Sequence, residues 1–403
     1  MRILLAANAS YAPPRGGATR SNLIWLDHLA RHGHECRVVC GPSGQGAELP
    51  YHPSIRLLPF DDPARRILEL ARQIAEFQPD WILVSSEDLG HGLLREVSHR
   101  APERLVYLAH TPQWFPFGPA SWNPDPHARF LVAQTAGVVA IGQHMAGYIE
   151  RELGRPVAVI HPPIYGAGPF PNYANSERGL VTMLNPCAVK GISIFLEVAQ
   201  KLPAVPFGAV PGWGTTAEDR RALQRTPNIS ILPNAPQIDE ILARTRVLLM
   251  PSLWYEGFGL IVMEAMLRGI PVVSSDSGGL VEAKCGTGYV IPVQTIQHYQ
   301  PAFDEHAMPK PVEPPHDAAP WVAALTALLQ DRAAYERESA ASRAAAERFV
   351  ARLDAGDLER YLSNLQRAGA AHPAVESSGI ESLTPEKRTL LLQRLHRRGA
   401  LRG

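Results

Sequence analysis

Apolar and polar positions along the chain fall into two repeating series. In the first, RILLAAN from Arg2, CRVVCG from Cys36, IRLLPF from Ile55, WILVSS from Trp81, RLVYLAH from Arg104 and GVVAIG from Gly137 are short, almost uninterrupted apolar runs. Amphipathic stretches lie among them at 20–32, 63–77 and 143–153. Runs of that length rich in Leu, Ile and Val predict strands buried on both faces, and the amphipathic stretches predict helices that cover them. The series therefore reads as βαβ repetition in a doubly wound parallel sheet, an α/β fold whose ligands gather beyond the carboxyl ends of the strands.

The rhythm breaks at PPIYGAGPFPNYANSERG, residues 162–179, which is rich in Pro, Gly and Asn and predicts a linker. It then restarts with LVTMLNP, a helix over 190–201, PFGAVPG, NISILPN, a short helix over 238–243, RVLLMPS and IPVVSSD. The proline-rich segment 297–320 predicts a long surface loop, and the alanine-rich sequence after it is strongly helical. The expected organisation is a first Rossmann-like domain over 1–165, a second over 166–345, a helical segment over 346–368 that crosses back to the first, and a tether with a short helix over 369–403.

Composition narrows the class. The chain has 403 residues, 45% of them apolar, enough for two large domains with a cleft between them. Lys plus Arg and Asp plus Glu are 39 each, so no global field favours nucleic acid. Cys36, Cys40, Cys187 and Cys285 show neither CxxC spacing nor a small disulfide framework, which predicts reduced thiols and no zinc. The apolar run at the N-terminus is too short for a signal peptide, and no stretch reaches ~18 uninterrupted apolar residues, so a soluble cytoplasmic protein is expected.

The stretch WYEGFGLIVMEAMLRG, 254–269, carries Glu256 and Glu264 eight positions apart with only glycines and apolar residues between them. Eight helical steps leave two side chains roughly 80° apart, so the pair does not share one stripe of a continuous helix. The glycines beside Phe258 predict helix initiation there, with Glu256 in a loop after a strand and Glu264 about a turn inside the helix. Backbone N–H groups of Gly257, Phe258, Gly259 and Leu260, at the positive end of the helix dipole, suit a phosphate or diphosphate. The carboxylates would repel phosphate and are better used as acceptors for sugar or ribose hydroxyls. Without further context, two glutamates at a helix start can equally be a cap or a solvated face.

The E-x7-E spacing followed by EAMLRGIPVVSSDSGGLVE resembles the retaining nucleotide-sugar glycosyltransferases of family 4, which have the GT-B fold of two facing Rossmann-like domains. The resemblance spans roughly residues 1–365. It implies that the first domain takes the acceptor and the second the nucleoside diphosphate sugar, with Glu256 on the donor sugar, Glu264 on the ribose and the intervening amides on the diphosphate. PPRGGATRSN matches the family's N-terminal glycine loop and implies donor contact for Gly16 and Gly17. His110, in YLAHTPQWF, resembles the histidine beside the transferred sugar. Lys190, in NPCAVKGIS, matches the lysine that pairs with the diphosphate and stabilises the leaving group. The family's arginine five or six residues upstream is absent: Asn185 and Leu184 stand there. Gly278, Gly279 and Glu282 form a second loop that could border sugar and phosphate.

No D-x-D motif occurs, so no metal–diphosphate site is expected, and no cofactor beyond the donor, with a UDP-sugar favoured by family frequency. The resemblance implies departure of the nucleotide assisted by its own phosphate, with attack from the same face, on a small natural-product or glycan acceptor. The competing reading is a catalytically silent docking protein of the same fold. The segment 382–403 carries its own helix signals: Thr384 as N-cap, Pro385, Glu386, a stripe of Leu391, Leu392 and Leu395, and Gly399 as a stop. It resembles LTPEKRxLL linkers beside nonribosomal peptide synthetase domains, which implies docking to a synthetase or carrier protein. A basic helix on an anionic membrane and a plain solvated helix are the alternatives.

Overall fold

The structure, a computed structural model, describes residues 1–14, 16–44, 52–235 and 237–367. The tether and short helix expected over 369–403 lie outside the described residues.

The first lobe runs β1 (Arg2–Ala6), α1 (Gly16–Arg31), β2 (Glu35–Cys40), β3 (Ile55–Pro59), α2 (Pro63–Phe77), β4 (Trp81–Ser85), α3 (Gly92–Arg100), β5 (Leu105–Ala109), α4 (Pro126–Ala133), β6 (Gly137–Ala140), α5 (Gln143–Leu153) and β7 (Ala158–Val159). Its strands are parallel in the order β3-β2-β1-β4-β5-β6-β7. The period of two sorts the apolar runs onto two faces: Ile3, Leu5, Val38, Leu83 and Val106 enter one core, while Leu4, Ala6, Val39, Val84 and Tyr107 enter the other. Local signals set helix starts, as where Asp62 accepts from the Ala64 amide ahead of Pro63.

The second lobe runs β8 (Leu180–Leu184), α6 (Ile192–Lys201), β9 (Phe207–Val210), α7 (Ala217–Arg225), β10 (Ile229–Ile231), α8 (Ile238–Leu242), β11 (Thr245–Met250), α9 (Leu260–Leu267), β12 (Val272–Ser275), α10 (Leu280–Ala283) and β13 (Val290–Ile291). The order is β10-β9-β8-β11-β12-β13, again parallel. Two doubly wound α/β lobes are therefore present, as expected. One apolar cluster is shared by both: Leu248, Met250, Val262 and Met266 of the second lobe belong to the same contiguous core as Leu5, Val38 and Val139 of the first.

The long loop expected over 297–320 is in part a hairpin, β14 (Tyr299–Phe303) antiparallel to β15 (Pro309–Pro311). Prolines are tolerated there because a two-stranded ribbon consists only of edges and can spare N–H donors. The helical tail is α11 (Ala319–Gln330), α12 (Arg332–Val350) and α13 (Asp357–Asn364). α12 continues through 345 and packs on α9, whereas α13 buries Leu358 and Leu362 in the shared core and brings Glu359 to His28 and His34 of the first lobe. The chain thus passes between lobes twice, and the passages lie side by side. Arg343 on α12 donates to the carbonyls of Phe170 at 2.8 Å and Pro171 at 3.3 Å. A hollow of about 480 Å³ between the passages is lined by Pro163, Tyr165, Phe170, Val350 and Leu353. Among the described residues no helix is long and apolar enough to cross a membrane.

Candidate active site

The loop between β11 and α9 is shaped by its glycines. Gly259 has φ +100°, a conformation costly for any side chain, and turns the chain into α9. Phe258, 2% exposed, anchors the loop from inside against Phe349 and His161. At Gly257 a Cβ would lie 2.3 Å from the carbonyl oxygen of His110, so only glycine lets this loop meet the end of β5 across the lobes. Gly278 and Gly279 do the same from behind, where a Cβ would come within 2.4 Å of the carbonyls of Glu256 and Gly257. Packed on both sides, the amides of Gly257, Phe258, Gly259 and Leu260 donate to no group among the described residues. They are unpaired donors at the N-terminus of an eight-residue helix.

The two glutamates flank these amides, Glu256 in the loop and Glu264 inside α9, and both are buried. Glu256 Oε1 accepts from Lys190 Nζ at 2.6 Å and from Ser252 Oγ. The Lys190 ammonium also lies 4.4 Å from the centre of the Trp254 ring. Lys190 ends a 3-10 turn over Ala188–Lys190, after which Gly191, at φ +80°, starts α6. The sequence reading gave Lys190 to a diphosphate and Glu256 to a sugar; the structure brings the two together as one pair. Glu264 Oε1 accepts from Arg20 Nη2 at 3.0 Å, across the lobes. Gly17, near the start of α1, sits against α9, where its Cβ would be 2.8 Å from Leu260 Cδ1. Gly16, at φ +85°, has open space around it.

His110, 3% exposed, has its Nε2 2.9 Å from Asn22 Oδ1, and the Asn22 amide donates to the Tyr11 hydroxyl at 2.8 Å. That network assigns the ring proton to Nε2 and leaves Nδ1 a bare acceptor, buried and without a partner among the described residues. Burial pushes its pKa down to about 3, so the ring is neutral.

Glu282 and Asn185 hold the scaffold around the loop. Glu282 accepts from His161 Nε2 at 2.6 Å and from the His144 amide at 3.0 Å, so it caps α5 of the first lobe instead of facing the Gly257–Leu260 amides. Burial works against its charge, but the His161 hydrogen bond and the amides at His144 and Gln143 hold the carboxyl below the usual range. Asn185, where the family has arginine, has φ +51° and accepts from the Gly214 amide at 2.9 Å, so it secures the neighbouring loop. Arg20, not singled out from the sequence, is the additional cation at the site; its position a turn beyond Gly17 on α1 was the available signal.

The family profile described as Glycosyl transferases group 1 matches residues 179–306, and that described as Glycosyltransferase Family 4 matches 15–165. The two profiles fall one on each lobe, and the loop with both glutamates lies within the first of them. The chain is a glycosyltransferase with the GT-B fold. This glycosyltransferase is 26% identical over 353 residues to a GDP-mannose-dependent alpha-mannosyltransferase of Mycolicibacterium smegmatis, covering 76% of the present chain and 88% of that one. A shorter match, 39% over 66 residues, is to an alpha-1,3/1,6-mannosyltransferase of Neurospora crassa, covering 15% and 14% of the two chains. Among solved structures, it superposes on Anabaena HepE in complex with UDP and glucose with a TM-score of 0.63 and 17% identity, covering 90% and 98% of the two chains. Sucrose-phosphate synthase from Thermosynechococcus elongatus gives a TM-score of 0.66 with 15% identity, covering 90% and 99%. These structural likenesses speak for the fold.

Proposed function

We propose that this chain is a retaining, metal-independent hexosyltransferase of the family 4 type that uses a nucleoside diphosphate sugar and a small natural-product or glycan acceptor. The observation that carries the proposal is the row of unpaired amides at 257–260, bounded by Lys190 and Glu256 on one side and by Glu264 and Arg20 on the other. A diphosphate on those amides satisfies donors that otherwise lack partners, and the α9 dipole favours its charge. Lys190 carries three donors; Glu256 takes one, and another is free to meet charge that develops on the leaving phosphate. Glu264 takes the ribose hydroxyls, sharing its carboxylate with Arg20. The bare Nδ1 of His110 accepts from a hydroxyl of the sugar. The nucleotide leaves with help from its own phosphate while the acceptor attacks from the same face.

The names of the relatives favour a hexose donor, GDP-mannose in the curated relative of longest match and UDP-glucose in a solved neighbour. The deciding experiment is release of free nucleoside diphosphate from a panel containing both, with and without simple sugar acceptors. No release from any sugar nucleotide, together with no calorimetric binding of either free nucleotide, would leave the silent docking protein as the reading. Docking of a synthetase or carrier protein by 382–403 stands as a proposal beside this one, checked by pull-down with the full chain and a chain ending at Gly369.

A further inference from the structure

At the far end of α1 from the glycine loop, about 18 Å along the helix, three histidines surround one carboxylate. His28 Nε2 and His32 Nδ1 each lie 3.1 Å from the same oxygen, Glu359 Oε2. His34 Nε2 lies 2.9 Å from the other oxygen, Oε1, and its Nδ1 is 2.7 Å from the amino group of Met1. We propose that His28, His32 and Glu359 form a zinc site that pins α13 to the first lobe, with His34 supporting Glu359 from behind.

Three geometric facts carry the assignment. His28 and His32 stand at i and i+4, the spacing that puts two imidazoles on one helix face for a single metal. Their rings are 4.0 Å apart and nearly perpendicular, and both nitrogens converge on one oxygen instead of spreading over the carboxylate. The three ligand atoms lie within 4.8 Å of one another. A tetrahedral zinc with arms of about 2.0–2.1 Å needs ligand atoms roughly 3.3 Å apart, so two of the three edges are already close to length. A solvent molecule would complete the coordination, since His32 is half exposed. The His34 contact to the second carboxylate oxygen supplies the outer partner that orients a ligating carboxylate. The expectation of no zinc rested on cysteine spacing, which says nothing of histidines brought together by α1 and α13. The site is separate from the donor loop and carries no step of the transfer.

The test uses tag-free full-length protein freed of metal by a chelator, titrated with zinc alone and, for spectroscopy, with cobalt alone. The expected result is one zinc per chain at micromolar or tighter affinity, a higher melting temperature with zinc, and the visible bands of tetrahedral cobalt without the near-ultraviolet charge transfer of thiolate ligands. His32→Ala, which removes a half-exposed side chain, should weaken binding at least tenfold, and Glu359→Gln likewise. His34→Ala should weaken it on the order of tenfold, as outer-shell changes do. The proposal is overturned by absence of binding, by equal binding in wild type and His32→Ala, or by a thiolate signature. If a variant does not fold, the wild-type cobalt spectrum and the zinc-dependent melting shift still decide.

Discussion

Lys190 Nζ lies 2.6 Å from Glu256 Oε1 at the edge of the unpaired amides, with Glu256 buried and Lys190 largely covered. A cation expected on phosphate and an anion expected on sugar therefore share one contact. Lys190→Ala should lower kcat by on the order of a hundredfold, the usual cost of removing one preorganised donor. It also leaves Glu256 buried without its cation, which costs about 3 to 5 kcal/mol for such pairs. The double variant Lys190→Met, Glu256→Gln should melt above Lys190→Ala. A Lys190→Ala enzyme with normal kcat and only a raised KM would remove the lysine from the leaving-group role.

Glu264 and Arg20 give a second prediction. Glu264→Ala removes a charge-assisted acceptor worth ~1.5 to 3 kcal/mol, so affinity for free nucleotide should fall about ten- to a hundredfold in calorimetry. Arg20→Ala should act in the same direction but more weakly, because Arg20 is partly exposed and its contact with Glu264 bridges the lobes. Unchanged affinity in Glu264→Ala would rule out the ribose role.

Gly257→Ala should nearly abolish turnover. The added methyl would sit 2.3 Å from the His110 carbonyl, a backbone atom that cannot swing aside, so the loop must withdraw from β5. Overpacking of this kind costs ~1 to 3 kcal/mol, so the variant should remain folded by circular dichroism while transfer is lost. Retained activity would show that the lobes need not meet there during catalysis.

His110 sets a pH dependence. Its pKa in the folded chain, about 3, lies below the unfolded value near ~6.5, so in that window the unfolded chain binds more protons. The stability that goes with neutral His110 is complete above pH ~6.5 and is lost as pH falls toward 3. Melting of wild type should decline more steeply over that range than melting of His110→Gln. Between pH 5 and 8 the rate profile should show no ionisation that disappears in this variant.

Glu256, the amides and Glu264 were legible in the sequence because local rules govern them: a strand ends, glycines flank Phe258, and apolar spacing starts a helix. The two sheets were legible for the same reason, from short apolar runs that alternate with amphipathic stretches. What escaped depends on residues far apart in the chain. Arg20 meets Glu264 and His161 meets Glu282 only because two lobes fold against each other, and no periodicity encodes that meeting. The role of Asn185 was hidden in its left-handed backbone and in the glycine loop it holds. The Tyr299–Pro311 hairpin was read as a loop because proline content was weighed without asking whether the strands would be edges.

The paired passages of the chain between the lobes, tied where Arg343 holds Phe170 and Pro171, act as a door hinged at two points. One connection would let a lobe roll or slide over its neighbour; two fastened side by side leave swing about the line that joins them. Displacement on opening then grows with distance from that line, so probes beside Tyr165 and Leu353 should hold their separation while probes across Gly257 and His110 move apart. Cutting the chain between 351 and 356 would release one of the two fastenings and admit the rolling motion that the intact molecule is denied.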